Sequence, residues 1–409
     1  MKVERVELYH VSIPLKHIFR PAWIPGYPQL HNRFTLVRVI TDEGIEGFSA
    51  GASMGREREG LGNLLGPYII GIDPTNIDLI QQRLREMSYL GWRNYWIEPA
   101  FWDILGKEKG KSLWELLGGR GGEVKVYASF GEVMGPEEAA EKAFSAFEEG
   151  FEGIKLRVHD FDEDIDKGQV KGVSQALKGE IRIGVDANQG WRVTVIKDAP
   201  LWDLERAKRF SDFCYEMGVE WIEEPLPMDD YDAQSQLKRY SKVKIAGGEL
   251  NSGGYPEFKI MMEKDCYHIY QPDATFCGGI SQCFKIMKEC EERGNFFTPH
   301  TWTNGIGFAI NLHLFAASKS RNSLLLEYPY HPPSWTPDVR DAILESPFIH
   351  KNGKVKIPEK PGIGIEINWK TLKKYGKRFF KMTKRSLIFY SLRERGLKET
   401  IELGRIMKR

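Results

Sequence analysis

The 409 residues carry 58 Lys and Arg against 57 Asp and Glu, a formal net charge of +1, and 41% are hydrophobic. That balance excludes a chain built mainly to coat nucleic acid or an anionic membrane, and the length suits two domains or one large barrel with attachments. A mean hydropathy of −0.42, with no apolar run near the ~20 residues that span a bilayer, excludes an integral membrane protein.

The N-terminus, MKVERVELYHVSIPLKHIFRP, alternates like a strand and is broken by charges, unlike a signal peptide. Two β runs, Lys2–Ile13 and Phe34–Ile40, are joined by a Pro- and aromatic-rich loop, His17–Arg33, and Asp42-Glu43-Gly44 turns into a further strand, Ile45–Ala50. From about Asn76 to Leu117 the spacing is helical, with starts at Pro74-Thr75 and Glu98-Pro99. Gly118, Gly119, Gly121 and Gly122 close this α+β segment and mark a boundary. The glycines at 60, 62 and 66 lack the spacing of a phosphate-binding loop. Five cysteines, none in a C-x-x-C pair, support neither a disulfide framework nor structural zinc, so a soluble cytoplasmic protein is expected.

From Val124 short β-rich runs recur: VKVYASF, GIKLRV, IRIGVDAN, WIEEPL, VKIAGGEL, HIYQPDA, FFTPHTW and LLLEYPY. Most are separated by helically spaced stretches such as Pro136–Glu149 and Leu201–Gly218. Strands alternating with helices imply a parallel sheet with right-handed crossovers, and eight in about 210 residues suggest a β/α barrel rather than an open sheet.

The polar residue at the end of each run carries the chemistry. Asp186, Glu223 and Glu249 end successive runs at separations of 37 and 26 residues, one β/α unit each. Strand ends of a barrel converge on one mouth. Any one of these acids reads equally well as a helix cap or an ion-pair partner, but three in phase suit Mg²⁺, which prefers hard oxygen ligands. The series continues with Asp273, His300 and Glu327. Asp273 and His300 on consecutive strands can form a dyad in which the carboxylate fixes the imidazole tautomer and raises its basicity. Lys155 and Arg157 alternate onto one face of GIKLRV and can both point into the barrel.

Taken together these residues resemble the enolase superfamily, and within it the mandelate racemase-like group. EPAFWDILGKEKGKSLWELLGG resembles the group's capping-domain stretch. The ordered set Lys155-x-Arg157, Asp186-x-Asn188, Glu223-Glu224-Pro225, Glu249, Asp273, His300 and Glu327 matches its barrel. PGIGIEIN (Pro361–Asn368) resembles the segment that returns to the capping domain. The resemblance implies an α/β fold, a modified (β/α)7β barrel with an α+β cap. Its parts would be a cap at 1–122, a catalytic barrel at 123–335 and a returning C-terminal segment at 336–409. It implies one Mg²⁺ per subunit on Asp186, Glu223 and Glu249, with Glu224 a neighbour rather than a ligand. It also implies Asp273–His300 as the base dyad and a protonated Glu327 as hydrogen-bond donor to a substrate carboxylate.

The group commonly carries Lys-x-Lys, and here the second position is Arg157, a poor general base at neutral pH. The expected reaction is therefore one-base abstraction of a proton α to a carboxylate through an enediolate. Dehydration of a sugar acid (aldonate or aldarate) to a 2-keto-3-deoxy acid is expected, with a racemase, epimerase or cycloisomerase as the alternative. Loop His17–Arg33 and segment Gly51–Arg58 are expected to cover the mouth. Trp23, Tyr27, His31, Arg56 and Arg58, with Asn188 deeper in, are candidates to read the substrate or, for each lip residue, ordinary surface packing. Residues 371–409 hold 13 Lys and Arg against 3 Glu but space apolar residues helically, so a packing or oligomer helix is expected there rather than a nucleic-acid surface. The expected partner is a small-molecule carboxylate, and a homo-oligomer is expected.

Overall fold

The structure, a computed structural model, describes residues 1–91 and 93–406. The chain opens with an antiparallel meander, β1 (Val3–Phe19), β2 (Gln29–Thr41) and β3 (Glu46–Ala52). Four helices follow: α1 (Leu61–Ile69), α2 (Ile77–Leu90), α3 (Pro99–Lys109) and α4 (Leu113–Leu116). Asn76 caps α2 by accepting from the Leu79 N–H, and Pro99 occupies the first turn of α3, where a missing N–H costs nothing.

The strand–helix alternation then begins: β4 (Glu123–Ser129), α5 (Pro136–Glu148), β5 (Gly153–Arg157), α6 (Glu163–Leu177), β6 (Arg182–Asp186), α7 (Leu204–Glu216), β7 (Trp221–Glu223) and α8 (Tyr231–Tyr240). It continues through β8 (Lys244–Gly247), α9 (Tyr255–Glu263), β9 (Ile269–Tyr270), α10 (Gly279–Arg293), β10 (Phe296–Phe297), α11 (Gly305–Ala317) and β11 (Leu326–Pro329). These strands lie in the order β10-β9-β8-β7-β6-β5-β4-β11, each pair parallel. The two ends of that path meet through Thr298 Oγ1, which donates to the Leu325 carbonyl at 3.2 Å. The result is a β/α barrel. All five residues of β5 are buried, as expected of a strand covered on both faces.

After α12 (Pro337–Arg340), β12 (Lys354–Lys356) pairs antiparallel with β4, and the chain returns through α13 (Trp369–Tyr375) to the first sheet. There β13 (Gly376–Thr383) lies antiparallel along β1, followed by α14 (Lys384–Arg395) and α15 (Leu397–Ile406). Two apolar cores result, one inside and around the barrel and one beneath the capping sheet. Among the described residues no helix is long and apolar enough to cross a membrane.

Three expectations change. The hairpin arms run farther than Ile13 and Phe34, so the connecting loop is residues 20–28 rather than His17–Arg33; Pro14 pairs with His31 and Phe19 with Gln29 across an irregularity in the ladder. Helix α1 escaped the periodicity because its glycines break the pattern. They are packing positions: a Cβ on Gly62 would fall 2.2 Å from the Phe380 ring and one on Gly66 2.1 Å from Met382 Sδ. The tail, expected to be helical, places strand β13 between α13 and α14, because Met382 and its neighbours have the open edge of β1 to pair with.

Two buried acids tie the cap to the rest. Glu98 accepts from the Ile280 N–H (2.7 Å) and the Ser281 N–H (3.2 Å) at the start of α10, and from Gln81 Nε2 (3.0 Å) and Trp102 Nε1 (2.9 Å). Asp103 accepts from the Phe48 N–H (3.1 Å) on β3, from Lys107 Nζ (2.8 Å), and from the Ile363 N–H (2.9 Å) on the returning segment. Asp103→Ala would leave two buried amides without their acceptor and Lys107 with only the Glu46 carbonyl. Urea denaturation is expected to show a loss of about 3 kcal/mol, against less than about 0.5 kcal/mol for an exposed control such as Glu108→Ala.

Candidate active site

Strand register brings the charged residues together. Arg157 on β5 pairs with Asp186 on β6, and Asp186 with Glu223 on β7. Lys155, two residues before Arg157, shares its face and is fully buried. Its Nζ lies 2.7 Å from Glu223, 2.8 Å from Glu327 and 3.4 Å from Asp186. Arg157 pairs with Asp186 and donates from Nε to the Phe130 carbonyl at 2.8 Å. Glu249 follows Gly248, whose φ of +105° turns the chain just past β8. Asn188 and Glu224, immediately beyond two of these acids, hold positive φ values of 47° and 45°. Strained backbone of this kind collects at functional sites.

The dyad assembles as a hydrogen-bonded chain. Asp273 Oδ1 accepts from the Thr275 N–H (2.7 Å), Thr275 Oγ1 (2.8 Å) and Asn311 Nδ2 (2.9 Å), so the carboxylate is fixed. Its Oδ2 lies 3.0 Å from His300 Nδ1, which leaves Nε2 aimed at the cluster, 3.4 Å from Glu249 and 3.9 Å from Glu327. Burial lowers the imidazole pKa, but Glu249, Glu327 and Asp273 outweigh it and raise it to about 10.

Glu327 corrects an expectation. It was to be a protonated donor, yet it accepts from Ser129 Oγ (2.8 Å) and the Thr301 N–H (2.8 Å) and faces Lys155. Burial raises its pKa, but Lys155, then His300 and Arg157, reverse that and hold it far below the usual carboxylate range. Its neighbours are donors, so this carboxylate is an anchor for cations.

Above the cluster opens a cavity of about 580 Å³. Arg157, Asn188, Glu249 and His300 lie on its floor; Trp23 and Tyr27 of the 20–28 loop and His31 of β2 form its lip. The guanidinium of Arg157 lies 5.1 Å from the Trp23 ring and 5.3 Å from Trp302, packed against the edge-to-face pair that these two indoles form at 5.2 Å. Arg56 is not among the lining residues: it is exposed and pairs with Glu59 one helical turn away. Arg58 is also absent from the wall; it lies 4.6 Å over the Trp96 ring and donates to the Gly51 carbonyl at 2.9 Å. The reason is local, since Glu57 accepts from the Met54 and Gly55 N–H groups and folds the segment into a tight turn.

Sequence reasoning missed most of the aromatic wall: Trp191, Phe276, Trp302 and Trp335. Trp302 was within reach, because it follows His300 by two residues at a strand end. Trp335 had no such signal, coming from the loop after β11. Arg33, at the outer end of β2, also lines the cavity.

Carboxylate oxygens of Asp186, Glu223 and Glu249 lie within 4.8 Å of one another and could hold a metal ion. The surroundings fit a hard divalent cation. Both oxygens of Glu224 are buried without a hydrogen-bond partner, and burial, followed by the Glu249 and Asp186 charges, drives its pKa well up. Burial, and after it Asp186 and Glu327, likewise lift Glu223 to about 7 despite Lys155. Lys155 and Arg157 stand among five closely spaced acids, a crowding of carboxylate oxygens that coordination to a hard cation would relieve. A calorimetric scan is therefore expected to show Mg²⁺ raising Tm, by the equivalent of about 2.7 kcal/mol at a hundredfold excess over Kd. Glu249→Gln should flatten that response while leaving the metal-free Tm close to wild type.

The enolase C-terminal domain-like family matches residues 138–371, and the mandelate racemase/muconate lactonizing enzyme N-terminal domain matches residues 17–118. D-galactarolactone cycloisomerase of Agrobacterium fabrum is 29% identical over 387 residues, 90% of this chain and 97% of that protein. Arabinonate dehydratase of Saccharolobus solfataricus is 30% identical over 276 residues, 66% of this chain and 68% of that protein. The crystal structure of an enolase superfamily member from Polaromonas sp. JS666 superposes with a TM-score of 0.78 at 26% identity, covering 92% of this chain and 97% of that one. The chain belongs to the mandelate racemase/muconate lactonizing enzyme family of the enolase superfamily.

Proposed function

We propose that this site removes the proton α to a carboxylate from one face only and then expels a β-oxygen substituent, dehydrating a sugar acid to a 2-keto-3-deoxy acid. The observation that carries the reading is the contrast between the two sides of the cavity floor. His300 offers Nε2 with its tautomer set by Asp273. Opposite it, where a two-base racemase needs a second proton acceptor, stands Arg157, packed against two indoles and paired with Asp186. Burial lowers the pKa of this guanidinium, but Asp186 and then Glu327 more than offset it, so the group stays a cation. The dehydratase among the relatives supports the same reaction class.

In this reading Asp186, Glu223 and Glu249 hold Mg²⁺. When bound, the ion supplies Lewis-acid stabilisation of the charge that develops on the substrate carboxylate. Lys155 and Arg157 present further positive charge to those oxygens, and Glu327 keeps both cations in place through its own ionised carboxylate. His300 takes the α-proton at Nε2 from its neutral form, which a divalent cation would favour by cancelling the Glu249 charge that otherwise keeps the imidazole protonated. The electron pair left on the α-carbon then forms the C–C double bond as the C–O bond to the β-oxygen breaks. His300 returns its proton to the departing oxygen, water leaves, and the resulting enol tautomerises to the keto acid. A ring-opening cycloisomerisation shares these steps up to the identity of the leaving oxygen. The flat aromatic walls Trp23, Trp302 and Trp335 favour it as the second reading if the accepted acid is cyclic.

Screening aldonic and aldaric acids and their lactones with Mg²⁺, and detecting 2-keto acid, tests the assignment. Conversion to keto acid without epimerised substrate in D₂O is the expected NMR result; interconversion of stereoisomers without loss of water would replace the dehydratase by an epimerase. His300→Asn is expected to lower both α-proton exchange and turnover by about 10³-fold. Arg157→Lys is expected to keep the product and lose rate, through loss of the planar donor fork.

A further inference from the structure

We propose that the basic C-terminal hairpin, α14 and α15, docks on the acidic outer face of α5 of a second copy of this chain. Beyond residue 370 the sequence holds 13 Lys and Arg against 3 Glu, which leaves 45 basic and 54 acidic residues in the remainder. The near-neutral total thus conceals two oppositely charged parts. Among the described residues, Lys384, Arg385, Arg395 and Lys398 have no ion-pair partner; the ion pairs of the tail are Arg378–Glu7, Arg393–Glu394 and Arg405–Glu402.

Interleaved with these cations are apolar side chains left in water. Leu387 and Ser391 turn α14 inward, and its outer side exposes Phe389 (73%) with Ile388 and Leu392. Helix α15 exposes Leu397 (66%) and Ile401, one turn apart. Exposed apolar groups clustered this way mark an interaction surface. Strand addition at β13 is the less suitable contact, because Lys377, Arg378 and Lys381 guard that edge of the sheet.

Helix α5 carries the complement. Its inner side buries Ala139, Ala143 and Ala146, while Phe144 (50%) and Phe147 (38%) stand outside, one turn apart. Around them Glu137, Glu138, Glu141 and Glu148 are exposed and, among the described residues, unpaired by any cation. Two phenylalanines in a ring of acids match a phenylalanine and leucines in a ring of bases, in both charge sign and pattern. Since every copy carries both surfaces, two such contacts about a two-fold axis close a dimer. An anionic membrane or nucleic acid fits less well, because the remainder of the chain, with nine more acids than bases, would be repelled.

The test is sedimentation equilibrium or light scattering on the full chain. Wild type is expected at twice the single-chain mass or more, shifting toward one chain as salt is raised. Phe389→Glu and Phe144→Glu, both at exposed positions, should each give the single-chain mass with an unchanged thermal melt. If either variant melts early, Arg385→Glu and Glu141→Lys replace them, with the double variant expected to recover the assembly. A wild type that stays single-chain at about 100 μM overturns the proposal, whether or not it binds anionic vesicles or RNA. So does an assembly that survives Phe144→Glu, since the tail would then dock elsewhere or not at all.

Discussion

Five carboxylates converge on one barrel mouth with two fixed cations between them, and much of the molecule is arranged around that excess of charge. Asp186, Glu223, Glu224, Glu249 and Glu327 come from four different β/α units, so only a closed parallel sheet could gather them. Lys155 and Arg157 are buried at a place where an unpartnered cation would be costly, and they persist because the acids surround them. The reverse also holds, since removing either cation would leave carboxylates facing each other across a few ångströms. Such a cluster is stable only as a unit, which is why its members touch several partners each rather than forming isolated pairs.

The cap acts on the same problem from outside. By laying the 20–28 loop and the start of β2 over the mouth, it limits the water that would screen those charges, and it encloses a cavity in which they act at short range. Glu98 and Asp103 matter here because they set where the cap sits. One fastens it to the start of α10, and the other joins α3 to β3 within the cap and to the returning segment.

The barrel and its polar strand ends were legible in the sequence because both follow from local rules: strand–helix alternation, and one chemically distinctive polar residue at or near each strand end. Lys155, Asp186, Glu223, Glu249, Asp273 and His300 could be read this way, and the structure gathers them at one mouth. What could not be read depends on distant partners. The extra length of β1 and β2 comes from their pairing with each other, and β13 looked helical until the free edge of β1 was known. The ionisation of Glu327 turns on Lys155, His300 and Arg157, contributed by two other segments. Arg56 and Arg58 point away because of one tight turn around Glu57, a detail below the resolution of pattern reading.

Trp23 stands on the lip of the cavity, yet its indole also lies 5.1 Å from the Arg157 guanidinium on the floor. Lip and reaction centre therefore share a side chain. A mutational path toward a new substrate that alters this tryptophan would disturb the guanidinium at the same step, so recognition and chemistry in this lineage cannot drift independently. Changes at Tyr27 or His31, elsewhere on the lip, leave that contact intact and keep the evolutionary route open.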